Sequence, residues 1–472
     1  MRQTVNILVA AFAATALLSA SAFAQTAPPP APVKPSSEPL DTTPPPTLDP
    51  DALPVAKDPM LDPVPPAANV VESWGDIIRL VHERSTALHI ATAQVREATA
   101  MKRRALSASL PVLSANGSVN EALYTNYNGT AAVLHPNTTL NGSVALKQPI
   151  LDLGAWYSFG TAKEREQAAA LSSKDVQRQQ LERVAEAAVG VITESRVAES
   201  SRVSLASDLS TLELTRRRAE LGAANAVDVL RAAQEVATSR AAIVANDEAL
   251  RQSRETLGAA LGFTGGWGVS NDLRVEDLER AASGVCKPIE GIQYRTDIRS
   301  AERNVEAARR DRNAVDYLYV PTVALVSQLG YTDYRSPGDT NVTQWTVGAQ
   351  LGWTLYDGGD RYGQKLFNTA AETIARETLT QNKRDARLLL TQADRGIVVA
   401  QANLEVSTSA RNIAKESARL SRLAFINGNG TSFDLVDSAR RLREAEIDLL
   451  IKQFQVFQAR LTAFLSRANC AI

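Results

Sequence analysis

Residues 344–355 read QWTVGAQLGWTL, and every second side chain is apolar. In an extended chain Trp345, Val347, Ala349, Leu351, Trp353 and Leu355 share one face, with Gln344, Thr346, Gly348, Gln350, Gly352 and Thr354 on the other. The stretch from Leu113 alternates likewise, with Leu113, Ala115, Gly117 and Val119 against Ser114, Asn116, Ser118 and Asn120. A third sets Leu140, Gly142, Val144 and Leu146 against Asn141, Ser143 and Lys147. A sheet of this kind ordinarily packs its apolar face on helices and wets the other. Two features favour lipid instead. The strands reach about ten residues, the length a tilted membrane strand needs, and the two tryptophans lie about eight residues apart on the apolar face, like two interfacial aromatic girdles.

Four such strands cannot enclose a channel. An open edge in hydrocarbon leaves backbone groups unpaired at several kcal/mol each, so closure requires further copies of the chain. Bacterial barrels begin at about eight strands, which a dimer or a trimer would satisfy.

Outward from the strands, the chain repeats itself. Leu110-Pro111 is answered by Val320-Pro321, Asp152-Leu153-Gly154 by Asp357-Gly358-Gly359, and Gly222 with Asp228 by Gly428 with Asp434. Three markers in register indicate a duplication. Each half reads helix, strand, strand, very long helix, turn, helix, which in the first half predicts elements at about 75–110, 112–124, 138–149, 155–221 and 227–261. The long helix carries a heptad seam through Leu181, Val184, Ala188, Val191, Ser195, Ala198, Leu205, Leu209 and Leu212, broken only at Arg202. A looser seam in the second half runs through Ala393, Ile397, Ala400, Leu404, Ser407, Ala414 and Ala418.

The N-terminus sets the compartment. Arg2, an apolar run to Leu18 and the small residues Ala22 and Ala24 around Phe23 read as a cleaved signal peptide, residues 1–24. No cysteine follows the cleavage site to take a lipid, and no later run approaches the roughly 20 apolar residues of a membrane helix. Of the 21 prolines, 15 lie between Pro28 and Pro66, so residues 25–70 are expected to be an extended, disordered lead.

The formal net charge of −1 argues against nucleic acid as a partner. His82, His89 and His135 and two cysteines are too scattered for a metal or nucleophile site. Gly265-Gly266-Trp267-Gly268 lacks phosphate-loop spacing and reads as a loop. No paired carboxylates or triad emerge, so an envelope enzyme is disfavoured and no cofactor is expected.

With these features in place the chain resembles the TolC family of outer-membrane efflux and secretion channels over nearly all its length beyond the lead. The resemblance rests on RSTALHIATAQV and RTDIRSAERNVEAAR at the repeat starts, and on SLPVLSANGSV and YVPTVALVSQLGY entering the strands. LKQPILDLGAW and LGWTLYDGG leave the strands, and RAELGAANAVDVLRA and FINGNGTSFDLVDSA form the turns. It implies an α+β membrane protein: a homotrimeric, 12-stranded outer-membrane β-barrel, with four strands per chain, continued by a long periplasmic α-helical coiled-coil barrel. The expected domains are a first repeat at 71–265 with strands at about 112–149, an equatorial segment at 266–290, a second repeat at 291–468 with strands at about 322–356, and a tail at 469–472.

The resemblance further implies a duct in the outer membrane reaching into the periplasm. Its partners would be a periplasmic adaptor and an inner-membrane pump of the RND, ABC or MFS type, with drug efflux, metal efflux and type I protein secretion sharing such an outer component. The turns at Gly222 and Gly428 would sit at the periplasmic tip where the adaptor docks. The family's bridging tyrosine and arginine there are replaced by Phe425 and Gly430, which removes the side chains of such a latch. Asp434 and Asp437, three apart on one helical face, would fall just inside the aperture and repel each other while recruiting cations. Asp228 is the matching aperture candidate in the first half; both it and Asp434 also read as capping-box residues, whereas Asp437 lies beyond the capping positions and Arg231 takes its place in the first half. In this topology Cys286 and Cys470 both return to the middle of the helical tunnel, where they are either bridged or two separate thiols. The rival reading is a structural trimeric coiled-coil protein of the envelope with a β-barrel anchor.

Overall fold

The structure is a computed structural model that describes residues 57–122, 137–334 and 341–470. The expected signal peptide and residues 25–56 of the lead lie outside the described residues. A single 3-10 turn (Pro59–Leu61) precedes β1 (Asn69–Val71), α1 (Trp74–Arg84), α2 (Thr86–Ser107), β2 (Val112–Ala122), β3 (Asn137–Leu151), α3 (Leu153–Glu220) and α4 (Ala226–Leu261). There follow β4 (Trp267–Val269), α5 (Val275–Val285), β5 (Cys286–Pro288), α6 (Thr296–Tyr317), β6 (Thr322–Tyr334), β7 (Val342–Gly352), α7 (Asp360–Ile426), α8 (Ser432–Ser466) and β8 (Ala468–Cys470).

At about 1.5 Å per residue the 68-residue α3 is roughly 100 Å long. It starts where Asp152 Oδ1 accepts the Ala155 N–H at 2.9 Å, and it ends at the turn of Gly222. α2 and α4 lie along successive lengths of it. Lys102 of α2 reaches Glu166 at 2.5 Å, and farther down Gln180 donates to the carbonyl of Ala260 at the end of α4 at 2.7 Å. The heptad seam is buried at Leu181, Val184, Ala188, Val191, Ala198, Leu205 and Leu212. Arg202, its break, points a guanidinium at both carboxylate oxygens of Asp247, each at 2.8 Å. This half-buried pair, one guanidinium nitrogen shared between two carboxylate oxygens, replaces a hydrophobic knob and satisfies the charge.

Three expectations change. The first helix is two: Ser85 takes an extended conformation and caps α2 by accepting the Leu88 N–H, so the run breaks between Arg84 and Thr86. The lead is ordered over its described residues 57–70. Asp58 pairs with Arg240 at 2.5 Å, the carbonyls of Asp62 and Pro65 accept from Arg202 and Arg254, and Met60 and Leu61 pack on the Leu205, Leu212, Val236 and Ile243 cluster. Proline fixes the chain as an extended strap, and its free carbonyls accept from arginines of α3 and α4. Finally, the glycine-rich loop ends in a strand: β4 pairs with β1 in parallel.

The larger cluster of buried residues joins the ends of α1, α4, α5 and α8 to the middle of α3 through Trp74, Ile77, Leu181, Leu257, Leu278 and Leu465. Here Cys286 and Cys470 are bridged, with Cα atoms 4.0 Å apart, directly opposite each other in the short β5–β8 pair.

The remaining four strands form one antiparallel sheet in the order β2-β3-β6-β7, with β2 and β7 as open edges. Register matches the alternation strand by strand. Leu113 faces Leu146, Val144 faces Leu329 and Leu329 faces Trp345, while Asn116 faces Ser143 and Asn141 faces Thr332. One face is therefore apolar across all four strands, and no helix covers it: Leu113, Val119, Val347 and Leu351 are all exposed.

Candidate functional site

At the sheet, Trp345 and Trp353 stand on the apolar face, 73 % and 58 % exposed. Trp353 lies one residue past the end of β7, and eight residues at about 3.4 Å each separate the two by roughly 27 Å along the chain, about 21 Å of height at a tilt of about 40°, comparable with a barrel's apolar band of about 25 Å. Each indole N–H has a partner, Ser327 Oγ at 3.0 Å for Trp345 and the Tyr319 carbonyl at 3.1 Å for Trp353. The rings thus lie against the sheet with their polar atoms satisfied, as amphipathic residues at a lipid boundary require.

At the far end of the helices both turns are built alike. Gly222 and Gly428 have φ of 75° and 79°, a left-handed conformation that only glycine adopts without strain. The N–H groups of Ala223 and Asn429 close back on the carbonyls of Arg218 and Ala424 at 2.8 and 2.9 Å, which completes a Schellman motif in each turn. Both following helices begin with a capping box. Asn225 accepts the Asp228 N–H at 2.9 Å and Asp228 accepts the Asn225 N–H at 3.2 Å; Thr431 accepts from Asp434 at 3.1 Å and Asp434 from Thr431 at 3.4 Å.

The two turns are fastened to each other. Arg218 donates to the Phe425 carbonyl at 2.7 Å and lays its guanidinium 4.3 Å from the centre of the Phe425 ring, while the Ser432 hydroxyl donates to Asp228. That hydroxyl is the first cause of an Asp228 carboxyl held below the usual range. Gly430 is closely packed: a Cβ there would meet the Phe425 nitrogen at 2.8 Å, so any side chain would force the turn apart. Arg218 and Ser432 carry links that the sequence reading did not assign.

Asp437 is not the free carboxylate expected. Arg440 donates to it at 2.6 Å and Arg441 at 2.8 Å, and chiefly the Arg440 hydrogen bond holds its carboxyl below the usual range. These arginines are its i+3 and i+4 neighbours, a pairing that helix geometry favours.

About 20 Å behind the turns, at 1.5 Å per residue, a third group joins the hairpins. Arg443 of α8 lies between Asp208 of α3, at 2.9 Å, and Glu235 of α4, and the Ser239 hydroxyl donates to Asp208. All three charged side chains are largely buried, and burial pushes the Asp208 carboxyl up to about 6. Among the described residues no group of His, Cys, Asp or Glu is arranged to hold a metal, and no helix is long and apolar enough to cross a membrane.

Paired helices of this length, carrying an open sheet with one apolar face, define a channel protein of the outer membrane. The chain belongs to the outer membrane efflux protein family, which matches residues 77–263 and 290–464, one stretch in each half. It is a channel component and not an enzyme. The chain is 26 % identical over 373 residues to nodulation protein T of Rhizobium leguminosarum bv. trifolii, covering 77 % of this chain and 76 % of that protein. Its fold is similar to that of the outer membrane protein VceC of Vibrio cholerae, with a TM-score of 0.70 and 18 % identity over 83 % of this chain and 95 % of that one. The open-state MtrE channel of Neisseria gonorrhoeae gives a TM-score of 0.68 and 15 % identity over 88 % and 97 %.

Proposed function

We propose that three copies of the chain close into the outer-membrane duct of an export assembly, passively conducting solutes or proteins from a periplasmic adaptor and an inner-membrane pump to the exterior. The observation that carries this is that each chain leaves complementary surfaces unpartnered on both flanks. The sheet ends in open edges at β2 and β7, which run in opposite directions, so the β7 edge of one copy can continue antiparallel onto the β2 edge of the next. On the helices, α7 presents Val399, Val406, Ile413 and Leu420, all more than half exposed, at heptad spacing on a face turned away from its own chain. α4 presents Val227, Leu230 and Val244, likewise more than half exposed. Two different patches meeting head to tail give a ring when the rotation between copies closes, unlike the single self-complementary patch of an isologous dimer. Twelve strands in three copies is the closure implied by the TolC-family resemblance, which also implies that the tip turns at Gly222 and Gly428 meet the adaptor.

The double variant Ile413→Asp/Leu420→Asp tests the assembly. Neither side chain is buried within the chain, so helical content should be unchanged, while the trimer mass in detergent should give way to monomer. A variant that stays trimeric would remove α7 from the interface. Planar-bilayer recording then separates a duct, which conducts, from a purely structural coiled-coil anchor, which does not.

At the aperture we expect a smaller role for Asp437 than a bare carboxylate ring would have. Asp437→Ala removes ion pairs to solvent-exposed arginines, which contribute little to stability, so melting should hardly move. It leaves Arg441 without its carboxylate and Arg440 with Glu444 alone, so single-channel reversal potentials should shift toward anions. A loss of stability with selectivity unchanged would make Asp437 a structural residue instead.

A further inference from the structure

The polar face of the sheet is built from Ser, Thr, Asn, Gln, Gly and a few small apolar residues, and Lys147 is the one charged side chain on it among the described residues. Its cross-strand neighbours are Val112 on β2 and Val326 on β6, with Gly348 beyond on β7. Among the described residues no carboxylate pairs with it, and Glu121 and Asp333 fall on the other face near the outer strand ends. Counted along β7, the row of Gly348 lies between Trp345 and Trp353, hence inside the band those rings mark. An unpaired lysine at that depth is strongly disfavoured against lipid, so parity and energy both turn it to water.

We propose that Lys147, repeated by the symmetry of the closed barrel, forms a ring of ammonium groups that makes the barrel favour anionic over cationic solutes. This rests on the duct reading above. Twelve strands about 4.8 Å apart and tilted about 40° enclose a wall of roughly 12 Å radius. An extended lysine reaches about half-way to the axis, which puts the charge within the ~8 Å Debye length at physiological salt. The rest of the wall hydrogen-bonds without choosing a sign, so this ring supplies the charge selection of the barrel.

The test is the full-length trimer in planar bilayers under a KCl gradient, comparing wild type with Lys147→Gln and Lys147→Glu after confirming trimer mass. The chloride-to-potassium permeability ratio should fall about fivefold in the Gln variant and more in the Glu variant at low salt, and the difference should vanish near 1 M KCl, where the Debye length is about 3 Å. Citrate should block wild type and lose its effect in the Gln variant. Three conducting trimers with one common reversal potential and equal citrate block would overturn the ring. Absence of conductance in all three would instead overturn the duct.

Discussion

Replacing Cys286 and Cys470 together by alanine is expected to lower the stability of the folded chain by about 5 kcal/mol, the chain-entropy value for a bridge spanning 184 residues. The bridge closes nearly the whole second repeat into one loop, from β5 before α6 to β8 after α8. Both sulfurs lie in the same cluster as Leu461 and Leu465, so alanine leaves the packing apolar and isolates the effect of the link. Either single variant should lose about as much as the double, because one cysteine cannot form the bond. Melting in detergent with and without reductant reads the loss. An unchanged melt on reduction, or two free sulfhydryls in the denatured, non-reduced protein, would show that the bridge contributes nothing.

Much of this fold is legible in the sequence because its periods are simple. Alternation at Leu113–Val119 and Trp345–Leu351 survives in the sheet register, since a one-residue slip would reverse both faces, whereas the strand stops at Gly352, short of Trp353 and Leu355. The α3 seam from Leu181 to Leu212 is buried nearly as its heptads require. Boundaries were less legible where one side chain decides them, as at Ser85, whose hydroxyl caps α2 inside a helical pattern. Proline content suggested a disordered lead, but Asp58 and the carbonyls of Asp62 and Pro65 find arginines more than 130 positions away, which no local pattern reveals. At the tip, the capping boxes were readable because their partners lie three residues apart. The pairing of Asp437 with Arg440 and Arg441 is equally local, at helix spacings of three and four. Arg218 to Phe425 and Ser432 to Asp228 span more than 200 residues and needed the fold.

The Arg443 junction is of the same long-range kind, and it makes the stability of the helical body depend on pH. One guanidinium stands between two largely buried carboxylates, so the ionised group carries an excess negative charge. The native Asp208 pKa of about 6 lies above the ordinary value of 3.8, so the folded chain binds a proton that the unfolded chain releases. Stability from this group is therefore fully present below about pH 4 and is lost as pH rises through about 6, a change of about 3 kcal/mol. Asp208→Asn keeps an oxygen to accept from Ser239 and Arg443 and cannot ionise. It should melt higher than wild type at pH 7.5, and the gap should close as the pH falls toward 4. Arg443→Met should do the reverse, leaving Asp208 and Glu235 without their cation at a cost of about 3–5 kcal/mol at neutral pH, a loss that acidification partly restores as Asp208 takes a proton. If Asp208→Asn melts parallel to wild type across this range, Asp208 does not titrate there, and the three helices are joined by packing rather than by this charge.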